Sequence, residues 1–261
     1  MNLSLTNKYA VICGSTQGIG LATAVILARL GANCILIARN EDALIKALKD
    51  LPVTEGQQHA YGVADFTDPS GLALVIQDIV SRTPIEILIN NSGGPKPGPI
   101  TEATATDFSQ AFNQHLICNQ LLVNAVLPGM KSRGYGRIIN IVSTSVKTPL
   151  PNLGVSNTIR AAVASWAKTL SNEIGQYNIT VNNVLPGLTA TTRYDKLVES
   201  ISGSTNTSAA EVEQGLINTV PMRRIGNAEE IGNVIAFLAS PAASYVTGTS
   251  IPVDGGRTPA I

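Results

Sequence analysis

Apolar runs alternate with amphipathic stretches along this chain. Short runs rich in Val, Ile and Leu fall at 9–13, 33–38, 59–64, 85–90, 137–142, 180–185 and 250–253. Most lack polar alternation, the pattern of strands buried on both faces of a parallel sheet. Helical periodicity separates them, over 18–30, 41–50, 69–82, 105–132, 155–175 and 227–239. Strand and helix in this alternation imply βαβ crossovers. The expected fold is α/β: a Rossmann-type doubly wound sheet of about seven parallel strands flanked by helices. No Ser/Gly/Pro-rich linker divides the chain, so 1–261 reads as a single domain.

One stretch, 188–221, fits none of these patterns. Its segment 202–208, SGSTNTS, reads as mobile, and Ser208 with Glu211 forms a capping box that opens a short helix. A long excursion after a late strand reads as a substrate lid. An ordinary surface loop is the plainer alternative.

Composition narrows the partners. The chain has 18 basic and 18 acidic residues and a net charge of zero. No block of basic residues appears, which argues against nucleic acid and anionic membranes. No apolar run approaches the roughly 18 residues of a membrane span, and no leader is read at the start. Cys13, Cys34 and Cys118 form neither a disulfide framework nor a metal spacing. Buried free thiols, no metal and a reducing cytoplasm are the expectation.

The first strand runs into CGSTQGIG, with Gly14, Gly18 and Gly20 at the turn into a helix. Glycines there allow a tight turn and close approach of a pyrophosphate to the helix N-terminus. Ser15, Gln17 and Ile19 complete that loop and join the candidate cofactor-binding set. The second strand ends at Arg39, where NAD binders usually carry an acid. A guanidinium suits a 2′-phosphate, so NADP(H) is favoured over NAD(H). Asp65, at the tip of the third strand, either accepts from the adenine amino group or caps the next helix.

These pieces resemble a short-chain dehydrogenase/reductase over essentially the whole chain. The resemblance rests on G-x-x-x-G-x-G at 14–20, NNSG at 90–93, GRIINIVS at 136–143, VNNVLPG at 181–187 and SYVTGTSIPVDGG at 244–256. The chain is most similar to the divergent branch near 3-oxoacyl-[acyl-carrier-protein] reductases, through GGPKPG after the fourth strand. The resemblance implies that Asn90 lies near the adenine ribose. It implies that Pro186, Gly187 and Thr189 hold the nicotinamide carboxamide, with Thr191 close by. It also implies a homodimer or homotetramer built through the helices at 105–132 and 155–175.

The family's usual catalytic set is Asn, Ser, Tyr and Lys. Anchoring on RAAVASWAKTL places Arg160 at the lysine position and Ser156 at the tyrosine position. Ser143 stands at the serine position and His115 at the asparagine position. A tuned phenol can donate a proton near neutral pH, whereas an aliphatic hydroxyl is far weaker. Arg160 stays charged and could bind the nicotinamide ribose, but it relays no proton. His115 falls on the stripe of Phe108, Phe112, Leu122 and Val126 and should face inward. An ordinary histidine pKa of about 6.5 would suit proton exchange there, and a hydrogen-bonded core histidine is the plainer alternative. Ser143 either orients a carbonyl by hydrogen bonding or merely satisfies a strand end, and His59 is expected to be structural. Tyr194, in the lid segment, either enters the site from above or lies on the surface.

The function expected is an NADP(H)-dependent oxidoreductase acting on a carbonyl/alcohol pair, with a small-molecule or acyl-carrier substrate. The alternative is a catalytically silent NADP(H)-binding or sensing protein.

Overall fold

The computed structural model describes residues 1–54 and 56–260. Seven strands form one sheet: β1 (Tyr9–Cys13), β2 (Asn33–Ala38), β3 (Ala60–Val63), β4 (Ile87–Asn90), β5 (Gly136–Ile141), β6 (Ile179–Pro186) and β7 (Ser250–Val253). Their order is β3-β2-β1-β4-β5-β6-β7, and every pairing is parallel. The expected single Rossmann-type sheet is what forms.

The helices are α1 (Gly18–Arg29), α2 (Glu41–Lys49), α3 (Pro69–Arg82), α4 (Ala105–Phe112), α5 (Cys118–Arg133), α6 (Gly154–Ile174), α7 (Thr192–Thr205), α8 (Ala209–Asn218) and α9 (Ala228–Ala239). Alternate residues of each strand feed two cores. Ala10, Ile12, Cys34 and Leu36 pack under α1, α2 and α9 with Leu27, Leu44 and Ile235. Val11, Cys13, Ile35 and Ile37 pack against α3, α5 and α6 with Ile76, Leu122 and Leu170. Burying each Leu or Ile contributes about 1.5–3 kcal/mol, so both faces must stay covered.

Chain order reverses between β1 and β4, which opens a crevice beyond the C-terminal ends of those strands. Four side chains pin the sheet beside it. Asn90 Nδ2 donates to Asn140 Oδ1 (2.8 Å), Asn140 Nδ2 to Asn183 Oδ1 (2.9 Å), and Asn183 Nδ2 to Ser250 Oγ (3.0 Å). This amide ladder crosses β4, β5, β6 and β7 and pairs buried polar groups that burial would otherwise penalise, although Asn90 Oδ1 is left without a partner among the described residues.

Two expectations about the helices are corrected. The run 105–132 is not one regular helix, because α4 passes through a π turn at Asn113–Ile117 before α5 begins. The extra residue per turn shifts the register. His115 is thereby buried while Phe112 is left 39% exposed, so Phe112 leaves the predicted stripe. The segment 188–221 is mostly helical, holding α7 and α8. Residues 202–205 of the expected mobile stretch close α7. Ser208 caps α8 in the expected box with Glu211.

The cysteines are free and buried. Burial pushes the Cys13 and Cys34 thiols up to about 12 and Cys118 to about 11, which makes them poor nucleophiles. His59 is structural: Nδ1 accepts from the Cys34 N–H and Nε2 lies 3.0 Å from the Pro52 carbonyl. Among the described residues no helix is long and apolar enough to cross a membrane, and no cluster is arranged to hold a metal ion.

Candidate active site

The glycine loop follows β1 and turns into α1. Gly14 and Gly18 have φ of +58° and +54°, which favours glycine. A Cβ on Gly20 would run into the Gly14 carbonyl, and one on Gly14 would stand 2.8 Å from Asn91 Nδ2. The loop is therefore a cradle of bare backbone at a helix N-terminus, the shape and polarity a pyrophosphate needs. Gln17 is the N-cap of α1 and offers no side-chain cap bond, so the first N–H groups of α1 lack a capping side chain. Ile19, in the first turn of α1, is partly buried against the core under that helix. Ser15 is fully buried and its Oγ donates to Ile37 O at 3.4 Å, so its side chain props β2.

Arg39 is exposed just beyond β2. Asp65 carries a lowered pKa because it accepts from the Thr67 N–H, with the Arg39 charge adding to this. The cap of α3 is Asp68, not Asp65, so the capping alternative for Asp65 is set aside. Asn90 ends β4 at the rim of this site. Its side chain is 2% exposed and bound into the amide ladder, and Asn91 is the residue that touches the glycine loop.

The far wall comes from β6. Pro186 ends the strand, and the Gly187 N–H bonds Val253 O. Thr189 is buried and bridges Gly226, while Thr191 precedes α7. The first turn of α7 lies on the glycine loop. Thr192 Oγ1 is 3.3 Å from Gln17 Oε1, and a Cβ on Gly18 would meet Thr191 Cγ2 at 3.2 Å. Tyr194 neither enters the site nor lies on the surface. It is buried against Val198 and Val212, which join α7 to α8.

The reactive groups gather where α6 meets the end of β5. Ser143 follows β5, and its Oγ accepts the Ser145 N–H at 3.1 Å, leaving its own proton free to donate. Ser156 and Arg160 lie one helical turn apart on α6 and are both buried. Arg160 Nη1 donates to Ile141 O at 2.9 Å, while its buried Nε has no partner. Burial, and then Arg193, pull the Arg160 pKa down to about 10, so it stays charged at neutral pH.

His115 faces inward as expected, at 2% exposure. Its Nδ1 is 2.8 Å from Ser92 Oγ, and its Nε2 is buried without a partner. Its expected titration near 6.5 is corrected. Burial, then the charges of Arg160 and Arg193, hold its pKa at about 3. The imidazole is neutral at physiological pH, so it acts as a hydrogen-bonding group rather than a shuttle of whole protons.

Comparison with known proteins completes the picture. A family model described as Enoyl-(Acyl carrier protein) reductase matches residues 14–258. The chain belongs to the short-chain dehydrogenase/reductase family. It is 32% identical to the NADPH-dependent reductase BacG of Bacillus subtilis, over 98% of this chain and 100% of that one. It is 33% identical to the 3-oxoacyl-[acyl-carrier-protein] reductase FabG of Pseudomonas aeruginosa, over 97% and 98%. The crystal structure of L-sorbose reductase from Gluconobacter frateurii, complexed with NADPH and L-sorbose, superimposes with a TM-score of 0.94. That structure is 31% identical and covers 100% of both chains. By family this chain is an oxidoreductase.

Sequence reasoning passed over three residues of this short-chain dehydrogenase/reductase site. Ser92 was legible only as the third residue of NNSG, with nothing to link it to His115. Asn91 was hidden behind Asn90. Arg193 sits in a segment read as loop, and a fold was needed to set it beside the β4 loop.

Proposed function

We propose that this protein is an NADP(H)-dependent reductase of carbonyl compounds with an altered catalytic set. In this reading His115, Ser143, Ser156 and Arg160 stand where the family usually has Asn, Ser, Tyr and Lys. The observation that carries it is the donor set at the β5–α6 junction, beside a glycine cradle that fits a dinucleotide. His115 Nε2 and Arg160 Nε are both buried there without partners. Buried polar groups of that kind call for an explanation, and a ligand oxygen would provide one.

The cofactor would lie on Gly14, Gly18 and Gly20, with its 2′-phosphate at Arg39 and its carboxamide near Pro186, Gly187 and Thr189. When bound it supplies the hydride. The protein's own residues stabilise the oxygen that becomes an alkoxide. In this reading Ser92 donates to His115 Nδ1, the tautomer that leaves the proton on Nε2 to bind that oxygen. Ser143 Oγ–H supplies a second hydrogen bond, and the Arg160 charge favours the developing anion. Neutral His115 and Ser156 are both too weak to surrender a proton outright at pH 7. The oxygen takes its final proton from water.

The first turn of α7 would act as the lid, since it rests on the glycine loop through Thr191 and Thr192. We also assign a homodimer, through α4 and α6. Phe108, Ser109, Phe112, Asn113 and Ile159 line an open hollow of about 360 Å³ there, with Phe112 exposed. Light scattering at micromolar concentration should give twice the mass of one chain.

The function is tested by following NADPH oxidation by the purified protein across a panel of ketones and aldehydes. Turnover with at least one carbonyl class, and slower turnover with NADH, is expected. Tight NADPH binding with no turnover on any member would favour the silent alternative.

A further inference from the structure

We infer that the substrate carries a carboxylate beside its reducible carbonyl, and that Arg193 and Arg160 bind it as a pair. This inference deepens the reductase reading and rests on it. Arg160 is 7% exposed, with a single hydrogen bond to a carbonyl and a buried Nε left unpartnered. Arg193 comes from the other side of the cleft, in the first turn of α7. Its guanidinium lies on Gly94 in the loop after β4, where a Cβ would stand 2.7 Å from Arg193 Cζ. Gly94 is thus what lets the head group settle against that loop. The same loop is stitched to the start of α6, where Gly98 N bonds Asn152 O and Gly154 N bonds Gly98 O.

The two guanidiniums are close enough for each charge to act on His115, and for Arg193 to act on Arg160. Among the described residues neither has a carboxylate partner. The ion pairs among the described residues are Arg82–Asp78, Arg133–Glu86 and Arg224–Glu230. Arg160 has lost its hydration to burial, and the exposed Arg193 is near enough for the two like charges to repel each other. A ligand anion relieves both costs. Guanidinium forks match a carboxylate geometrically, and each charge-assisted bond is stronger than a neutral one.

The cofactor offers anions of its own, yet those have other seats. The glycine cradle with the α1 N-terminus suits the pyrophosphate, and Arg39 suits the 2′-phosphate. Arg193 instead touches the loop after β4, near enough to His115 for its charge to act there. A carboxylate there, one or two carbons from a ketone, would set the carbonyl oxygen toward His115 and Ser143. The substrate class is therefore a short oxo acid rather than a neutral ketone.

The test uses protein saturated with NADP⁺, which binds a ketone without reducing it. Pyruvate, 2-oxobutyrate, acetoacetate and benzoylformate are each titrated by calorimetry, alongside their methyl esters. At least one acid should bind about tenfold or more tightly than its ester. Arg193→Met should erase that difference and leave NADP⁺ affinity within about threefold. Arg193→Lys should restore part of it, because it returns the charge without the fork. Acids that bind no better than their esters across the whole panel would overturn the inference. So would an Arg193→Met variant whose lost affinity is for NADP⁺ instead, since Arg193 would then serve the cofactor. Failure of the wild-type protein to bind NADP⁺ at all would count against the dinucleotide reading itself.

Discussion

Arg137 and Arg160 are both buried guanidiniums, and β5 runs between them. Arg137 sits at the start of the strand, 1% exposed. Its Nε donates to Ser240 O, and its Nη1 to Gly136 O and Asn178 O. Its flat face lies 4.1 Å from the centre of the Tyr135 ring, with Lys8 4.3 Å from the same ring. Arg160 contacts the last residue of the strand and has one carbonyl partner. One end of the sheet answers its buried charge with acceptors and an aromatic face. The other end leaves donors waiting. A satisfied buried arginine fixes structure, whereas an unsatisfied one holds capacity for a ligand.

The same substitution at both places should separate these roles. Arg137→Met leaves three carbonyls short of a donor, and we expect a loss of about 3 kcal/mol of stability. That corresponds to a fall in Tm of roughly 8 °C for a chain of this size. NADPH affinity should not change. Arg160→Met removes a charge that burial already penalises, so stability should stay within about 1 kcal/mol of wild type. Calorimetric melting of the two variants decides between them. Equal destabilisation would mean that Arg160 is as structural as Arg137.

His115 extends the contrast to catalysis. Removing its Nε2 donor in His115→Ala should lower kcat about 100-fold, the loss usual for one oxyanion donor. The kcat/KM profile should show no inflection near pH 6.5 owing to this group, because its pKa sits at about 3. Stability should carry the mark instead. The unfolded chain takes up a proton on this histidine below about pH 6.5, and the folded chain refuses it down to about 3. The unfolded state thus binds more protons in that window, so stability falls as pH drops through it. Above pH 6.5 the group contributes no pH dependence. Between pH 7 and pH 5 the expected loss is about 2 kcal/mol. Urea midpoints of wild type and His115→Asn at both pH values measure it. Parallel pH dependence in the two proteins would show that His115 is not held neutral by the fold.

The strands were legible because continuous Val, Ile and Leu runs leave little choice of partner surface. β1, β2 and β7 match their predicted bounds, and β3 and β4 lose only end residues. The inward face of His115 was legible too. Its pKa was not, because it is set first by how deeply the fold buries the ring and then by charges from α6 and α7, both distant in sequence. The π turn left no trace in composition. α7 was read as loop from its polar end, although Tyr194, Val198 and Ile201 already carry helical spacing. Polar content outweighed a short apolar stripe that only α8 makes useful.

A smaller effect is expected at Arg39, where the comparison concerns an exposed guanidinium. Its stem is exposed, and its charge acts on Asp65. Arg39→Ala should weaken NADPH about tenfold through loss of a charge-assisted bond, and leave NADH unchanged. Titration of both cofactors by calorimetry measures the ratio. An unchanged NADPH affinity would remove Arg39 from the cofactor site.

The smallest effect belongs to Ser156. It is 5% exposed in the middle of α6, and its Oγ has no hydrogen-bond partner among the described residues. Alanine fits the same volume and favours the helix by a few tenths of a kcal/mol. Stability should therefore hold or rise slightly in Ser156→Ala. The hydroxyl is short, weakly acidic and set one turn from Arg160, so it offers the carbonyl oxygen less than Ser143 does. Single-turnover reduction should slow by less than about threefold, equivalent to roughly 0.6 kcal/mol. Ser143→Ala, which deletes the hydroxyl at the end of β5, should slow the same step at least tenfold more. A large loss in Ser156→Ala, with Ser143→Ala mild, would move the donor role onto α6 and recast His115 as the group that merely shapes the pocket.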